Sequence, residues 1–130
     1  MKVYATIDMN FEAAHKLVAK DKADEVNLNW YGKCSNLHGH NYKIFVTVQG
    51  DIQENGMILN FVKIKDVVRE KIIKVYDHVM INDLIDEIPT AENMCLVFWK
   101  LLDDAFLDLN VSLYELKLYE TENSCVTLRR

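Results

Sequence analysis

The chain has 130 residues, of which half are hydrophobic and 27% are charged, the usage of an ordinary globular domain. Its formal net charge of −5 argues against a general nucleic-acid binder and against a membrane-surface binder, because both need a broad basic surface. We therefore expect one domain over residues 1–130, long enough to bury a core, with no nucleic-acid or membrane partner.

The distribution of apolar residues and cysteines bears on the compartment. No apolar run approaches the roughly 20 residues of a membrane-spanning helix, and we expect no signal peptide. The three cysteines, Cys34, Cys95 and Cys125, are odd in number and sparse, which argues against a disulfide framework. These features predict a soluble cytoplasmic protein with reduced thiols.

Alternating apolar residues predict two long strands in the first part of the chain. From Val3 to His15 the odd positions are apolar until His15 itself, a period of two that is typical of a half-buried strand. The second strand runs from His38 to Val48, with its stripe on the even positions. Between them, residues 16–37 are polar and lose the period, so we expect a long loop, and loops of that length are often functional.

Helical spacing of apolar residues follows in two segments. The first runs from Phe61 to Val75, with Asn60 as its predicted N-cap. The second begins after Thr90, which is expected to cap it, and runs to Phe106. Both helices have a continuous apolar stripe, so each is expected to pack on a sheet.

The chain ends with a predicted strand over residues 111–120, a turn, and a short strand over residues 125–129. The complete order is β-β-α-α-β-β. This order predicts an α+β fold, in which a four-stranded antiparallel sheet carries two helices on one face.

Three histidines fall on the same face of the first two predicted strands. Side chains two residues apart on a strand point the same way, so His38 and His40 project together. If the two strands pair antiparallel across the long loop, His15 lies beside them on the buried face. Three imidazoles with an open fourth position are typical of catalytic zinc. The pattern therefore predicts a zinc site, against the alternative of three structural histidines.

Cys34 lies in the predicted loop, just before His38. A thiol close to a divalent cation has a lowered pKa, which suits a metal ligand, a nucleophile or a general base. The spacing does not separate these three roles. Cys95 and Cys125 are predicted to be packing residues.

Five motifs in this order resemble the 6-pyruvoyl-tetrahydropterin synthase superfamily over essentially the whole chain. They are Phe11 to His15, Cys34 to Tyr42, Asp77-His78, Pro89 to Asn93 and Glu120-Thr121. The resemblance implies a T-fold whose subunits assemble into a barrel, typically a homohexamer. It also implies Zn²⁺ held by His15, His38 and His40.

The spacing between Cys34 and His38 is similar to that of the bacterial and archaeal 6-carboxy-tetrahydropterin synthases of queuosine biosynthesis. Three residues separate the two positions, whereas 6-pyruvoyl enzymes more often have a longer gap. The resemblance therefore implies a zinc-dependent lyase that converts 7,8-dihydroneopterin triphosphate to 6-carboxy-5,6,7,8-tetrahydropterin, acetaldehyde and triphosphate. The alternatives are a 6-pyruvoyl-tetrahydropterin synthase and a non-catalytic zinc- or pterin-binding paralogue.

The resemblance also assigns acid–base roles. It implies that the Cys34 thiolate is the general base and that Asp77 and His78 form the partner acid–base pair, contributed by another subunit. Adjacent strand residues point to opposite faces, so Asp77 can orient His78 within one chain only if the chain turns there.

Two further positions are connected with the substrate. Glu120 ends an apolar stripe and is expected to accept two N–H bonds from the pterin, as a carboxylate can from a pair of adjacent donors. Capping of the second helix is enough to explain Thr90, so any contact of Thr90 with the substrate is secondary. Relatives usually carry aspartate where this chain has Asn60, a change that preserves capping.

Overall fold

One five-stranded sheet forms the centre of the computed structural model, which describes all 130 residues. The strands are β1 (Val3–His15), β2 (His38–Gly50), β3 (Val79–Met80), β4 (Ser112–Thr121) and β5 (Ser124–Arg129). Their order across the sheet is β3-β1-β2-β4-β5. β3 runs parallel to β1, and all other neighbours are antiparallel.

The pairing of β1 with β2 confirms the predicted hairpin across the long connection. His15 lies opposite His38, and Ala13 lies opposite His40. The predicted parity also holds, because Phe11 and Tyr42 are buried and stack at a centroid distance of 4.9 Å. One face of the hairpin is therefore apolar and carries all three histidines at its end.

Three helices accompany the sheet. α1 is Asp24–Tyr31 and leads into a 3-10 turn, Gly32–Ser35; α2 is Phe61–Val68, which continues through a π-helical turn, Arg69–Ile73, and ends at Lys74–Tyr76; α3 is Ala91–Leu107. The two predicted caps are present. Asn60 accepts a bond from Val62 N at 2.9 Å, and Thr90 accepts one from Asn93 N at 3.2 Å.

α2 and α3 pack on one face of the sheet over a core of 24 buried residues, as the apolar stripes predicted. Phe98 of α3 meets the Phe11 ring edge-on at 6.0 Å, and Tyr76 of α2 lies 4.9 Å from the Phe98 ring. None of the helices combines the length and apolarity that crossing a membrane requires.

Two expectations about the secondary structure are corrected. The segment 16–37 is not only loop, because α1 lies within it. Asn27 is buried there and bonds both the N–H and the carbonyl oxygen of Ala19, at 2.7 and 3.1 Å. A helix stabilised by one buried amide has no apolar periodicity, so the sequence pattern did not reveal it.

The sheet has five strands rather than four and is mixed rather than purely antiparallel. The additional strand, β3, pairs only Val79 and Met80 with Ala13 and Ala14. Two residues are too short to show a period of two. A bulge in β4 places Tyr114 on the outer face of the sheet, where its ring centroid lies 4.5 Å from that of Tyr4.

Candidate active site

The side chains of His15, His38 and His40 form one compact group, here called the histidine cluster. Their ligand atoms lie within 4.8 Å of one another, and Nε2 of His15 is 3.0 Å from Nε2 of His38. His15 ends β1, and the other two begin β2. The register of the hairpin thus brings together residues that are separated by more than twenty positions in the chain.

Backbone carbonyls fix the orientation of two of these rings. Nδ1 of His15 lies 2.8 Å from the Pro89 carbonyl oxygen, and Nδ1 of His38 lies 2.7 Å from the Asn36 carbonyl oxygen. A carbonyl oxygen only accepts, so each Nδ1 donates its proton. Both Nε2 atoms therefore present a lone pair to the centre of the cluster, as metal-binding imidazoles do.

Burial disfavours the charged form of two rings of the cluster. It lowers the pKa of His15, whose side chain is fully buried, and the neighbouring His38 acts in the same direction. Burial also lowers the pKa of His40. Neutral imidazoles are the form that binds a cation.

The donor set fits a zinc ion. Nε2 of His40 is buried and has no hydrogen-bond partner within the chain. A buried nitrogen without a partner is costly, and a bound cation removes that cost. Three imidazole nitrogens are a common set for catalytic Zn²⁺.

Cys34 lies beside the cluster in sequence but is not a member of it. It is half-buried in the 3-10 turn Gly32–Ser35, and its carbonyl oxygen accepts a bond from Leu17 N at 3.0 Å. The group of side chains close enough to share one ion contains only the three histidines. The geometry therefore favours the roles of the thiol other than ligand.

Asp77 and His78, here called the acid–base turn, do contact each other within one chain. Oδ2 of Asp77 is 2.9 Å from Nδ1 of His78. This is possible because His78 adopts a left-handed backbone conformation with φ of 61°, the turn that the pairing required. A bond from Glu12 N to Asp77 Oδ1, 2.8 Å long, and one from His78 N to the Glu12 carbonyl oxygen hold the turn against β1.

The acid–base turn lies on the outer face of the sheet. His78 is 73% exposed in its side chain, and its Nε2 is 3.5 Å from a carboxylate oxygen of Glu12, which points away from the helices. The pKa of the Asp77 carboxyl is lowered, chiefly by the hydrogen bond from Glu12 N and further by the hydrogen bond with His78. Both residues line an open groove of about 720 Å³ together with Lys43 and Tyr119.

The two residues predicted to meet the substrate lie near the cluster. Oε1 of Glu120 is 3.5 Å from Nε2 of His15 and 3.6 Å from Nε2 of His40. Thr90 follows Pro89, whose carbonyl orients His15, but its hydroxyl caps α3. The structure thus accounts for Thr90 as a cap.

Two supporting residues were missed by the sequence analysis. The Tyr42 hydroxyl lies 3.4 Å from Nδ1 of His15, although the alternation indicated only a core position. The Asn82 amide bonds both the N–H and the carbonyl oxygen of Lys16, at 3.0 and 2.9 Å. A polar residue after the apolar segment 79–81 was the only available signal for Asn82.

Comparison with known proteins gives the same family. A profile described as 6-pyruvoyl tetrahydropterin synthase matches residues 4–130. The chain is 39% identical over 128 residues to a 6-pyruvoyl tetrahydrobiopterin synthase of Pongo abelii, which covers 93% of this chain and 87% of that protein. It is 33% identical over 124 residues to a putative 6-carboxy-5,6,7,8-tetrahydropterin synthase of Archaeoglobus fulgidus, covering 95% and 93% respectively.

A solved structure shows the same architecture. The structure of Caenorhabditis elegans 6-pyruvoyl tetrahydropterin synthase superposes with a TM-score of 0.90 at 25% identity, covering 100% of this chain and 96% of that one. This likeness confirms the predicted T-fold.

Proposed function

The chain belongs to the 6-pyruvoyl tetrahydropterin synthase family, and from that premise we propose that it is a zinc-dependent lyase acting on 7,8-dihydroneopterin triphosphate. The observation that carries this proposal is the histidine cluster, in which three imidazoles converge and one buried nitrogen has no hydrogen-bond partner. Members of the family are lyases of pterin metabolism, so a pterin is the expected substrate.

The proposed product is 6-carboxy-5,6,7,8-tetrahydropterin, made together with acetaldehyde and triphosphate in queuosine biosynthesis. The short spacing of three residues between Cys34 and His38 supports this choice. The second candidate is a 6-pyruvoyl-tetrahydropterin synthase. It is supported by the higher identity to the Pongo abelii protein than to the Archaeoglobus fulgidus protein.

The proposed mechanism divides the chemistry among the residues of the site. His15, His38 and His40 would hold a zinc ion, which would act as a Lewis acid towards the hydroxyl groups of the substrate side chain. Cys34, as thiolate, removes the proton from the adjacent carbon as the general base. Glu120 accepts the N–H bonds of the pterin and sets the distance of the side chain from the base.

His78 is proposed to exchange the second proton. Asp77 holds Nδ1 of its ring at 2.9 Å, so that Nε2 is directed outwards. Within one chain the acid–base turn lies on the opposite face of β1 from His15. The proposed active site therefore combines the histidine cluster and Cys34 of one subunit with the turn of another subunit in a homohexamer.

A product assay tests the proposal. The zinc-loaded protein is incubated with 7,8-dihydroneopterin triphosphate, and the products are separated by mass spectrometry. We expect 6-carboxy-tetrahydropterin and one equivalent of acetaldehyde. Accumulation of the 6-pyruvoyl product alone would select the second candidate. The Cys34→Ala variant is the control, and if it turns over at the unchanged rate, the thiol has no part in the mechanism.

A further inference from the structure

The segment that carries Cys34, residues 16–37 and here called the thiol segment, is not packed into the apolar core. None of the 24 buried residues of the core lies in it, and none of the partly buried residues that pack against the core does. The large apolar side chains of α1 point outwards, with Leu28 65% and Trp30 55% exposed. The position of the segment therefore depends mainly on hydrogen bonds.

Asn27 is the one buried residue of α1, with 6% of its surface exposed. Its Oδ1 atom accepts a bond from Ala19 N at 2.7 Å. Its Nδ2 atom lies 3.1, 3.2 and 3.3 Å from the carbonyl oxygens of Ala19, Ala23 and Lys22. Removal of this amide leaves buried backbone groups of Ala19 without a partner, which is costly. The amide therefore ties α1 to the residues that precede it.

α1 has few other contacts that could fix it. Its N-cap residue, Ala23, has no side-chain oxygen to accept a bond from the first turn. The helix is also only 8 residues long, and a helix of that length is not stable by itself in water. The helix therefore depends on tertiary contacts, of which the contact of Asn27 with Ala19 is the buried one.

Cys34 follows α1 almost directly. Gly32 ends α1 in a left-handed conformation with φ of 55°, and the 3-10 turn Gly32–Ser35 begins at the same residue. The Cys34 carbonyl oxygen also accepts a bond from Leu17 N at 3.0 Å, just beyond the end of β1. Two connections thus set the place of the thiol: this backbone bond, and the helix that Asn27 anchors.

We propose that Asn27 is a positioning residue for Cys34: its amide fixes α1 and thereby sets the position of the thiol relative to the histidine cluster. The placement depends only on contacts within this chain, and the effect on catalysis rests on the proposed function. The role is local, because neither the core nor the cluster contains a residue of the thiol segment. Without the amide the segment opens while the sheet stays folded, as in local unfolding.

Alkylation of the metal-free protein tests the placement without any substrate. Rate constants for iodoacetamide are measured for each cysteine by mass spectrometry of the peptides. We expect Asn27→Ala to raise the rate at the half-buried Cys34 about threefold or more, while the rate at the exposed Cys125 stays unchanged. The matched control is Asn29→Ala, which truncates the same side chain at an exposed position of α1 and is expected to change neither rate.

Hydrogen exchange shows whether the opening is local. In Asn27→Ala we expect faster exchange at the amides of α1 and of residues 32–35, with unchanged exchange in β1 and β2 and unchanged zinc content. A variant that loses zinc, or the protection of β1 and β2, would show that Asn27 supports the whole fold, and this overturns the proposal. An unchanged ratio of the alkylation rates at Cys34 and Cys125 overturns it equally.

A double variant tests the effect on catalysis. We expect Asn27→Ala to lower kcat about 10- to 100-fold with KM nearly unchanged, because a displaced base slows proton transfer and the proposed substrate contacts lie outside the thiol segment. If Asn27 acts only through the thiol, Asn27→Ala combined with Cys34→Ala has the kcat of Cys34→Ala within about twofold. Losses that multiply overturn this part. A protein that makes no pterin product still shows the alkylation and exchange effects, so the two proposals fail separately.

Discussion

The histidine cluster and the acid–base turn lie on opposite faces of the same strand, β1, and they differ in how they are supported. His15 is fully buried and its ring is oriented by the Pro89 carbonyl oxygen. His78 is 73% exposed, and its ring contacts only the carboxylates of Asp77 and Glu12. The cluster is formed within one chain, whereas the turn exposes the Asp77-His78 pair on the outer face of the sheet.

This difference shows what each half of the proposed site requires. The cluster is oriented within one chain, because the carbonyls that hold His15 and His38 belong to Pro89 and Asn36. The turn is paired only with two carboxylates of its own chain, and the rest of its exposed ring is open to a second surface. Each variant below tests one half of the comparison, and the largest expected effect comes first.

Removing one imidazole tests whether the cluster is the metal site. We expect His40→Ala to lose most of its zinc and to reduce kcat/KM at least about 10³-fold, equivalent to about 4 kcal/mol of transition-state stabilisation. Bound zinc is measured by metal analysis of the purified protein. Glu122→Gln is the control, since it changes an exposed side chain. Full zinc content in His40→Ala would show that the ion is held elsewhere.

The two proposed proton-transfer groups, one beside the cluster and one in the exposed turn, are tested by replacing each in turn. We expect Cys34→Ala and His78→Ala each to lower kcat by about 10²- to 10⁴-fold, the usual contribution of a general acid or base. Both variants should retain zinc, because neither side chain is in the cluster. Loss of zinc from Cys34→Ala would instead identify the thiol as a ligand.

Mixing the two inactive variants tests whether the site is shared. If Cys34 and His78 act from different subunits, hexamers formed from equal amounts of the two variants contain intact sites. With random assembly, about a quarter of all sites contain both functional groups. About a quarter of wild-type activity should therefore return. The double variant mixed with itself is the control. Absence of any recovery would place both groups of a site in one chain.

The pH dependence of the free energy of unfolding tests the buried half, the histidine cluster. Burial lowers the pKa of His15 and of His40 below the ordinary value of 6.5, so in metal-free protein the unfolded chain binds more protons than the folded one. The contribution of these two histidines to the free energy of unfolding is complete above pH 6.5. It is lost as the pH falls through their pKa values in the folded state. We expect urea midpoints of the metal-free protein to decrease from pH 7.5 to 5.5, less so in His40→Gln. An equal decrease in both proteins would contradict this.

The smallest expected effect concerns Asn82, which links the segment after the acid–base turn to the residue that follows His15. Asn82→Ala removes both bonds to the backbone of Lys16, next to His15, and should lower the free energy of unfolding by about 1–2 kcal/mol. Thermal unfolding measures this, with Asn29→Ala on exposed α1 as the control. Unchanged stability would show that the pairing of β3 with β1 holds this edge without the amide.

Much of the fold follows from local patterns that were visible in the sequence. The alternation from Val3 to His15 and from His38 to Val48 predicted both long strands and the face that each buries. The caps at Asn60 and Thr90 predicted the starts of α2 and α3. These features depend on period and on hydrogen bonding within a few residues, which are properties of the chain itself.

Other elements depend on contacts between distant residues, and no local pattern reveals them. α1 is held by Asn27, whose amide bonds the backbone of Ala19. β3 is too short for a period, and Tyr42 supports His15 only because the hairpin register brings the hydroxyl to 3.4 Å.

The sequence by itself determined which side chains make up the proposed site: three imidazoles of the same parity, a thiol beside them and the Asp77-His78 pair. Parity on a strand is a local property, so the alternation alone places His15, His38 and His40 on one face. Only the tertiary structure decided the distances, because register, bulges and turns act between distant residues. It brought the Glu120 carboxylate within 3.5 Å of His15 and turned His78 towards Glu12 on the outer face of β1.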